Sequence, residues 1–277
     1  MDSLVSIIIP CYKKAQYLGE TLDSVAAQTC PNIEVIVVDD GSPDNTKAVV
    51  EEWQKRMPNL RYLHQENQGP SVARNNGIQA SHGKYVMALD ADDTISPTYV
   101  ECCSSYLNEH PEVKLVYTLA DTFGVRNGDW DLPPYRHEDL LWANMVHYCA
   151  MYRRTDFDRS NGYNPNMVKG FEDWDFWLSM LSPKDHVHCI EKRLFHWRVL
   201  EISRSLDADN NMQALLQQIY TNHQDLYAPY LKNIVYFHEM WQHYKWRYQK
   251  AEAVRHSHAY RLGKWLLKPV SWLRKTV

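Results

Sequence analysis

The chain has no apolar run approaching the ~18 residues that a membrane span needs. Its first residues, MDSLVSIIIP, lack the basic leader and long apolar stretch of a secretory signal. Six cysteines, at 11, 30, 102, 103, 149 and 189, form no C-x-x-C pair, so neither a zinc site nor a thioredoxin-like site is supported. Several sit in apolar runs and read as buried thiols of a reducing, cytoplasmic protein. Only 10 of 277 residues are glycine, and no two stand as G-x-G. G-x-x-x-x-G-K-[ST] is missing as well, which excludes the common dinucleotide and P-loop fingerprints. A net charge of −4 gives no basis for nucleic-acid binding across the whole surface. No internal repeat or low-complexity linker interrupts the chain.

What remains is an ordinary globular composition, 44% hydrophobic and 23% charged, on a chain long enough for one large α/β domain with an appendage or for two small domains. The 10 Trp and 18 Tyr suit sugar and interface sites as well as a core. Apolar, β-branched runs at 4–9, 33–38, 60–64 and 85–89 predict strands, the first stopped by Pro10. Helical spacing predicts helices at 15–28, 45–56 and 70–80. Strand and helix therefore alternate four times, the pattern of a doubly wound parallel sheet, which binds ligands at the carboxyl ends of its strands. The second half is less regular. Strands are expected at 113–118 and 148–153, a loop at 129–135, and a β-hairpin from 187–190 and 193–197. Gly170-Phe171-Glu172-Asp173-Trp174 opens a helix, and from Asp207 the pattern is helical, broken at Pro229 and Pro269.

The carboxylates fall where that rule puts ligands. Asp39-Asp40-Gly41-Ser42 follows the second strand, and Asp90-Ala91-Asp92-Asp93 follows the fourth. In extended chain Asp90 and Asp92 leave on the same side. Two hard oxygen ligands facing one way suit Mg²⁺ or Mn²⁺ shared with phosphate oxygens. The plainer readings are a solvated acidic turn, or Asp93 capping the helix near Pro97.

Taken in order, residues 5–12, Asp39-Asp40-Gly41-Ser42, Gly69 through Arg74-Asn75, Asp90-Ala91-Asp92-Asp93 and the Glu172-Asp173 helix start resemble the family 2 glycosyltransferases. The likeness covers roughly residues 4–205. It implies the GT-A nucleotide-diphospho-sugar transferase fold: Rossmann-like α/β, a mostly parallel central sheet with flanking helices. A nucleotide-binding half at about 1–95, an acceptor half at about 96–205 and a helical extension at 206–277 are expected. The resemblance also implies inverting transfer from a nucleotide-diphosphate sugar, by analogy a UDP-sugar, to a hydroxyl of a surface polysaccharide or lipid-linked glycan. Tyr12 and Asp40 would then hold the base and ribose, Pro10 and Asp39 would shape that site, and Gly69 and Arg74 would approach the nucleotide. Asp92 would be the main metal ligand. Asp90 would bind ribose or metal-bound water, and Ala91 between them would belong to the nucleotide-sugar site. Asp173 would be the catalytic base, and Glu172 its substitute or an acceptor contact.

Departures from the family pattern are Lys13 in place of an asparagine and Trp197-Arg198-Val199-Leu200 in place of Tyr-Arg-x-His. The missing histidine leaves His196 as a substitute metal ligand. Gln-x-x-Arg-Trp is absent, so the resemblance is to non-processive members. Two other classes fit the same carboxylates: a sugar-nucleotide nucleotidyltransferase, and a catalytically silent sugar-binding protein. Release of pyrophosphate rather than nucleoside diphosphate would identify the first, and no turnover the second.

Residues 254–277 carry six Lys/Arg and no Asp/Glu. Leu262, Trp265, Leu266, Pro269, Val270 and Leu273 follow helical spacing, with Arg261, Lys264, Lys268 and Lys275 mostly off that face. Such a segment suits an anionic membrane surface, here the inner face of the cytoplasmic membrane. A helix packed on the catalytic domain, or on a second subunit in a homodimer, has the same pattern. Membrane binding predicts that the full-length protein partitions onto anionic liposomes more strongly than a chain ending at Ala253. Equal sedimentation of the two would refute it.

Overall fold

The computed structural model describes residues 3–201 and 211–231, together with 238, 239, 242, 243, 245, 246, 249 and 250. One compact unit runs through Gln224, past the boundary expected at 205, and a second comprises Asp225–Val277. The amphipathic segment at 262–273 lies outside the described residues, as does Pro269.

Four strands, β1 (Val5–Cys11), β2 (Ile33–Asp40), β3 (Leu60–Gln65) and β4 (Tyr85–Ala88), alternate with helices α1 (Ala15–Ala26), α2 (Thr46–Gln54) and α3 (Pro70–Ala80). They form the expected parallel array in the order β3-β2-β1-β4. Both faces are covered by helices, which is why β1, β2 and β4 are apolar apart from Ser6, Glu34 and the aspartates that end β2; Ser6 donates to Glu34 at 2.7 Å, so the two polar side chains are buried as a pair. Pro10 does not end β1. The Leu89 amide donates to the Ile8 carbonyl at 2.9 Å, so alternation turns Pro10 to the β4 side as well, where pairing has already stopped at Ile8–Ala88. The missing N–H therefore costs no ladder bond.

The rest of the sheet is mixed. After β5 (Thr94–Ile95) and α4 (Tyr99–Glu109) come β6 (Val113–Gly124), β7 (Gly128–Trp130), α5 (His137–Leu140), β8 (Met151–Arg153), α6 (Arg154–Arg159), α7 (Glu172–Met180) and β9 (His186–Val199). β8 is inserted antiparallel between β4 and β6, and β9 runs parallel to β6. Two expectations are corrected here. The loop at 129–135 begins as strand, with Trp130 paired to Ala120. The hairpin at 187–197 is one continuous strand. Its exposed Glu191 and Lys192 are absorbed as a bulge, the register jumping from Thr118–Ile190 to Leu119–Arg193. A polar pair between apolar runs signals a turn and a bulge equally.

Helix α8 (Met212–Asn222) follows, then α9 (Gln224–Leu231), which carries Pro229 inside it rather than breaking there, at the cost of one intrahelical bond. No helix among the described residues is long and apolar enough to cross a membrane.

α3 approaches the sheet closely at Gly77, where a Cβ would lie 2.4 Å from Ile8 Cγ2 and 2.9 Å from Val38 Cγ2. Both neighbours are fully buried and cannot yield. Gly77→Ala is expected to destabilise the protein by about 1–3 kcal/mol through overpacking, despite the better helix propensity of alanine. A urea midpoint equal to or above that of the unmodified protein would contradict this packing.

Candidate active site

The site is built on the carboxyl ends of β1, β2 and β4. At the end of β1, Tyr12 is exposed at 41% and Lys13 takes a left-handed backbone, φ 56°. That conformation is costly for lysine and tolerated by asparagine, which accounts for the residue type whose absence the sequence shows. Ser42 ties the two strand ends together, accepting from the Lys13 amide at 3.2 Å.

Asp39 and Asp40 are both buried. Asp39 accepts from the Ser42 amide at 2.8 Å, an Asx-type turn, and from the Tyr62 hydroxyl at 2.6 Å. Burial opposes its ionisation, but these bonds outweigh it and hold the carboxyl below the usual range. Asp40 spends both oxygens on the loop before α3. It accepts from Gln65 Nε2 at 2.7 Å, the Gln68 amide at 2.8 Å and the Gly69 amide at 2.9 Å. Gly69, at φ 89°, lets the loop turn into Pro70 at the start of α3. In this state Asp40 orients the loop, and Tyr12, one residue past the Cys11–Asp39 pair, is exposed.

Arg74, on α3, is 1% exposed. Its Nη2 donates to Asp90 Oδ1 at 2.6 Å and its Nη1 to Glu172 Oε1 at 2.7 Å. The rings of Tyr148 and Tyr163 lie 5.9 and 5.5 Å from the guanidinium. Burial disfavours its charge, but the two carboxylates overcome that and fix it as a cation.

The acidic stretch after β4 is a turn, the Asp93 amide donating to the Asp90 carbonyl at 3.0 Å, with Ala91 buried inside. A turn, not extended alternation, therefore sets the carboxylate directions. Asp92 Oδ2 accepts from Lys14 Nζ at 2.5 Å. Burial raises the Asp92 pKa, Lys14 opposes the rise, and Asp90 adds to it. Asp93 is not a helix cap, since α4 starts at Tyr99 and its N-cap residue is Thr98. It is buried, accepting from the Tyr148 hydroxyl and from the Arg198 amide at 2.7 Å. Burial, then Asp92 and Asp90, push its pKa well up.

Glu172 and Asp173 open α7, whose preceding residue, Phe171, has φ 59°. Asp173 accepts from Asn144 Nδ2 at 2.8 Å. Burial, then the adjacent Glu172, raise its pKa to about 6. Asp175, on the same turn, is fully buried and accepts from Asn222 Nδ2 at 2.6 Å, with His223 Nε2 3.0 Å away. It anchors α8.

His196 is not at the acidic turn's service. Its Nε2 lies 2.8 Å from Ser96 Oγ and its Nδ1 2.6 Å from Asp121 Oδ1, so both ring nitrogens are committed elsewhere. The antiparallel pairing of β5 with β9 causes this, setting His196 opposite Thr94. The next-but-one residue takes the structural role instead. Arg198 donates Nε to the Asp92 carbonyl at 2.7 Å and Nη2 to Glu20 at 2.5 Å. Sequence reasoning missed Lys14, Asn144, Tyr148 and Arg198, which meet the site only through long-range contacts. Arg198 alone had a signal, its place in the run that departs from Tyr-Arg-x-His.

Among the described residues no three His, Cys, Asp or Glu side chains converge as a metal cage. Asp90, Asp92 and Asp93 bring three carboxylates to one turn, a local surplus of negative charge, and Asp90 and Asp92 supply hard oxygens; burial is the chief cause of the raised pKa of Asp92 and Asp93, with the neighbouring aspartates adding to it. A divalent cation fits that surplus, completed by oxygens from a ligand.

A family profile described as glycosyl transferase family 2 matches residues 6–160. Chondroitin synthase of Escherichia coli is 28% identical over 225 residues, 78% of this chain and 32% of that protein. The uncharacterized glycosyltransferase EpsJ of Bacillus subtilis is 31% identical over 216 residues, 72% of this chain and 62% of that protein. The chain thus spans about a third and just under two thirds of these relatives. The uncharacterized glycosyltransferase RP339 of Rickettsia prowazekii is 30% identical, and the match covers 83% of this chain and 72% of that protein. In structure, S. aureus TarS 1–349 in complex with UDP-GlcNAc aligns with TM-score 0.65 at 20% identity, over 79% of this chain and 66% of that one. The mannosyltransferase PcManGT of Pyrobaculum calidifontis, in complex with GDP-Man and Mn²⁺, aligns at 0.62 and 17%, over 95% and 83%. These likenesses show the GT-A fold.

The raised Asp173 pKa makes a stability prediction. Between the unfolded value near 3.8 and about 6, the unfolded chain ionises this group while the folded chain holds its proton. The cost to the fold therefore grows through that window and is complete above it. Asp173→Asn is expected to stabilise the protein by up to about 3 kcal/mol at pH 8 and by little at pH 4. Melting temperatures that shift equally at both pH values would refute it.

Proposed function

This chain belongs to glycosyltransferase family 2, and we propose that it transfers a sugar from a nucleotide-diphosphate donor to an acceptor hydroxyl with inversion at the anomeric carbon. The observation that carries the reading is the Asp90–Arg74–Glu172 bridge, which ties the acidic turn after β4 to the helix start bearing Asp173. One rigid cation thereby sets the spacing between the donor side and the acceptor side.

The reaction needs one base. The acceptor oxygen attacks the anomeric carbon as the bond to the diphosphate breaks, and the acceptor proton passes to Asp173. A carboxylate with pKa about 6 is mostly ionised at neutral pH yet more basic than an ordinary aspartate. Asn144 orients it. The diphosphate leaves from the opposite face. Asp92 and Asp90 would hold Mg²⁺ or Mn²⁺, which when bound neutralises the leaving diphosphate. Lys14, now on Asp92, supplies a cation at the same turn. The exposed ring of Tyr12 offers a stacking surface for the base, beside Asp39, Asp40 and the Gly69 loop.

A UDP-sugar is the donor favoured by the UDP-GlcNAc complex of TarS, and a polysaccharide or lipid-linked glycan is the acceptor favoured by relatives named as chondroitin synthases. Non-processive addition remains the reading of the missing Gln-x-x-Arg-Trp.

Two variants separate the roles. Asp92→Asn should abolish Mn²⁺-dependent UDP binding by calorimetry. Asp173→Asn should leave that binding intact and lower kcat by the ~10²–10⁴-fold of a lost general base. In the unmodified enzyme kcat/KM should fall with decreasing pH below about 6, as Asp173 takes up its proton. Near-normal kcat in Asp173→Asn together with its loss in Glu172→Gln would move the base one residue back.

A further inference from the structure

Asp173 is held at the front of its helical turn by Asn144, and the back of the same turn has a second hold. Each residue of an α-helix advances by about 100°, so Asp173 and Asp175 point about 160° apart, whereas Glu172 and Asp175 lie about 60° apart on one side. Glu172 is taken by Arg74 of α3. Asp175, which has no exposed surface, is taken by α8. Its Oδ1 accepts from Asn222 Nδ2 at 2.6 Å and lies 3.0 Å from His223 Nε2. An ionised carboxylate only accepts, so His223 donates there. Asp175 Oδ2 is buried without a partner in the protein. A carboxylate shut away with one oxygen idle is a poor source of stability. What it supplies is a fixed direction between two helices.

The segment that leads into α7 is held by the same helix. Asn166 and Asn222 exchange side-chain amide bonds of 2.8 and 3.1 Å, and Gln218 Nε2 donates to Asn222 Oδ1 at 3.0 Å. At the opposite end of α8, Lys169 Nζ donates to Asn211 Oδ1 at 3.0 Å. Asn75, beside Arg74 on α3, fixes the start of the segment, accepting from the Tyr163 amide at 2.9 Å and donating to its carbonyl at 2.7 Å. The segment ends at Phe171, φ 59°, a left-handed conformation that a bulky residue keeps only where its surroundings over-determine it. The Phe171 carbonyl accepts from the Asp175 amide at 2.9 Å. Asp175 thus meets the strained turn through its backbone and α8 through its side chain. The Arg74 contact alone would leave α7 free to turn about one point, and a second contact three residues on fixes its rotation.

We propose that Asn222 and His223, acting through Asp175, are positioning residues for the transfer: α8 is a brace that fixes the rotation of α7 and so aims Asp173 at the acceptor hydroxyl. The proposal rests on the reading of Asp173 as the base. Its test uses Asn222→Leu and His223→Leu, with His223→Gln, whose amide can donate in place of Nε2, as the conservative control. Carboxyl-carbon NMR of isotope-labelled protein reads Asp173 directly. Release of UDP from UDP-sugars with Mn²⁺ gives kcat, and calorimetry gives UDP affinity. In the unmodified protein Asp173 titrates at about 6, with Glu172 and Arg74 the charged groups that act on it. Each leucine variant should let water reach the turn and move that midpoint down toward 3.8. It should lower kcat by about 10- to 10²-fold, as for a misaimed group, with UDP affinity unchanged. His223→Gln should restore both the midpoint and kcat. Asn166 is exposed, so Asn166→Ala, which cuts the contact from the loop side, carries the test should a leucine variant fail to fold. An unmoved Asp173 midpoint together with unchanged kcat would overturn the brace. A midpoint that falls while kcat holds would support the brace and count instead against Asp173 as the base.

Discussion

The buried guanidinium of Arg74 is the contact on which the rest of the site depends. It joins residues 16 and 98 positions away in the chain, Asp90 and Glu172, through two bonds of 2.6 and 2.7 Å. Taking such a charge out of water is expensive, and only two close carboxylates make it tolerable. Removing either would leave the buried guanidinium with a single carboxylate and one direction of its fork without its acceptor. A lysine would not serve, because a point charge cannot donate in two fixed directions. The bridge therefore sets where α7, and with it Asp173, stands relative to the turn after β4.

Arg74 reaches that place because α3 is delivered correctly. Asp40 pins the Gln68 and Gly69 amides, Gly69 supplies the left-handed turn, and Gly77 lets α3 sit against Ile8 and Val38. The adjacent aspartate pair after β2 thus divides its work. Asp39 closes the turn at Ser42 and Asp40 holds the loop that aims α3.

Around the bridge the protein accumulates more carboxylates than cations. Lys14 balances Asp92, while Asp93 has only a tyrosine hydroxyl and a backbone amide. The surplus of carboxylates makes the turn receptive to a divalent ion, while the Asp173 pKa is raised chiefly by burial and then by Glu172. Stability is given up locally for charge that catalysis uses, a common arrangement at active sites.

The amino-acid sequence by itself determined the parallel half of the sheet and the acidic strand ends. Unbroken apolar runs such as Val35 to Val38 have no polar face to show, so they must be covered on both sides, and that dictates crossover helices. Asp90 and Asp92 were legible for a local reason, charge directly after a buried run, whereas Glu172 and Asp173 were legible only through the family resemblance of their helix start. What the chain could not state locally was decided by tertiary pairing. The β9 bulge at Glu191 and Lys192 looks like a turn until β6 lies beside it. His196 is claimed by Ser96 and Asp121, while Arg198, two residues on, reaches the Asp92 carbonyl. Lys14 and Asn144 acquire their partners only across 78 and 29 residues. Hydrophobic period is a property of neighbours in sequence, whereas a carboxylate's partner, and so its charge, is fixed only when distant segments are brought within hydrogen-bond reach.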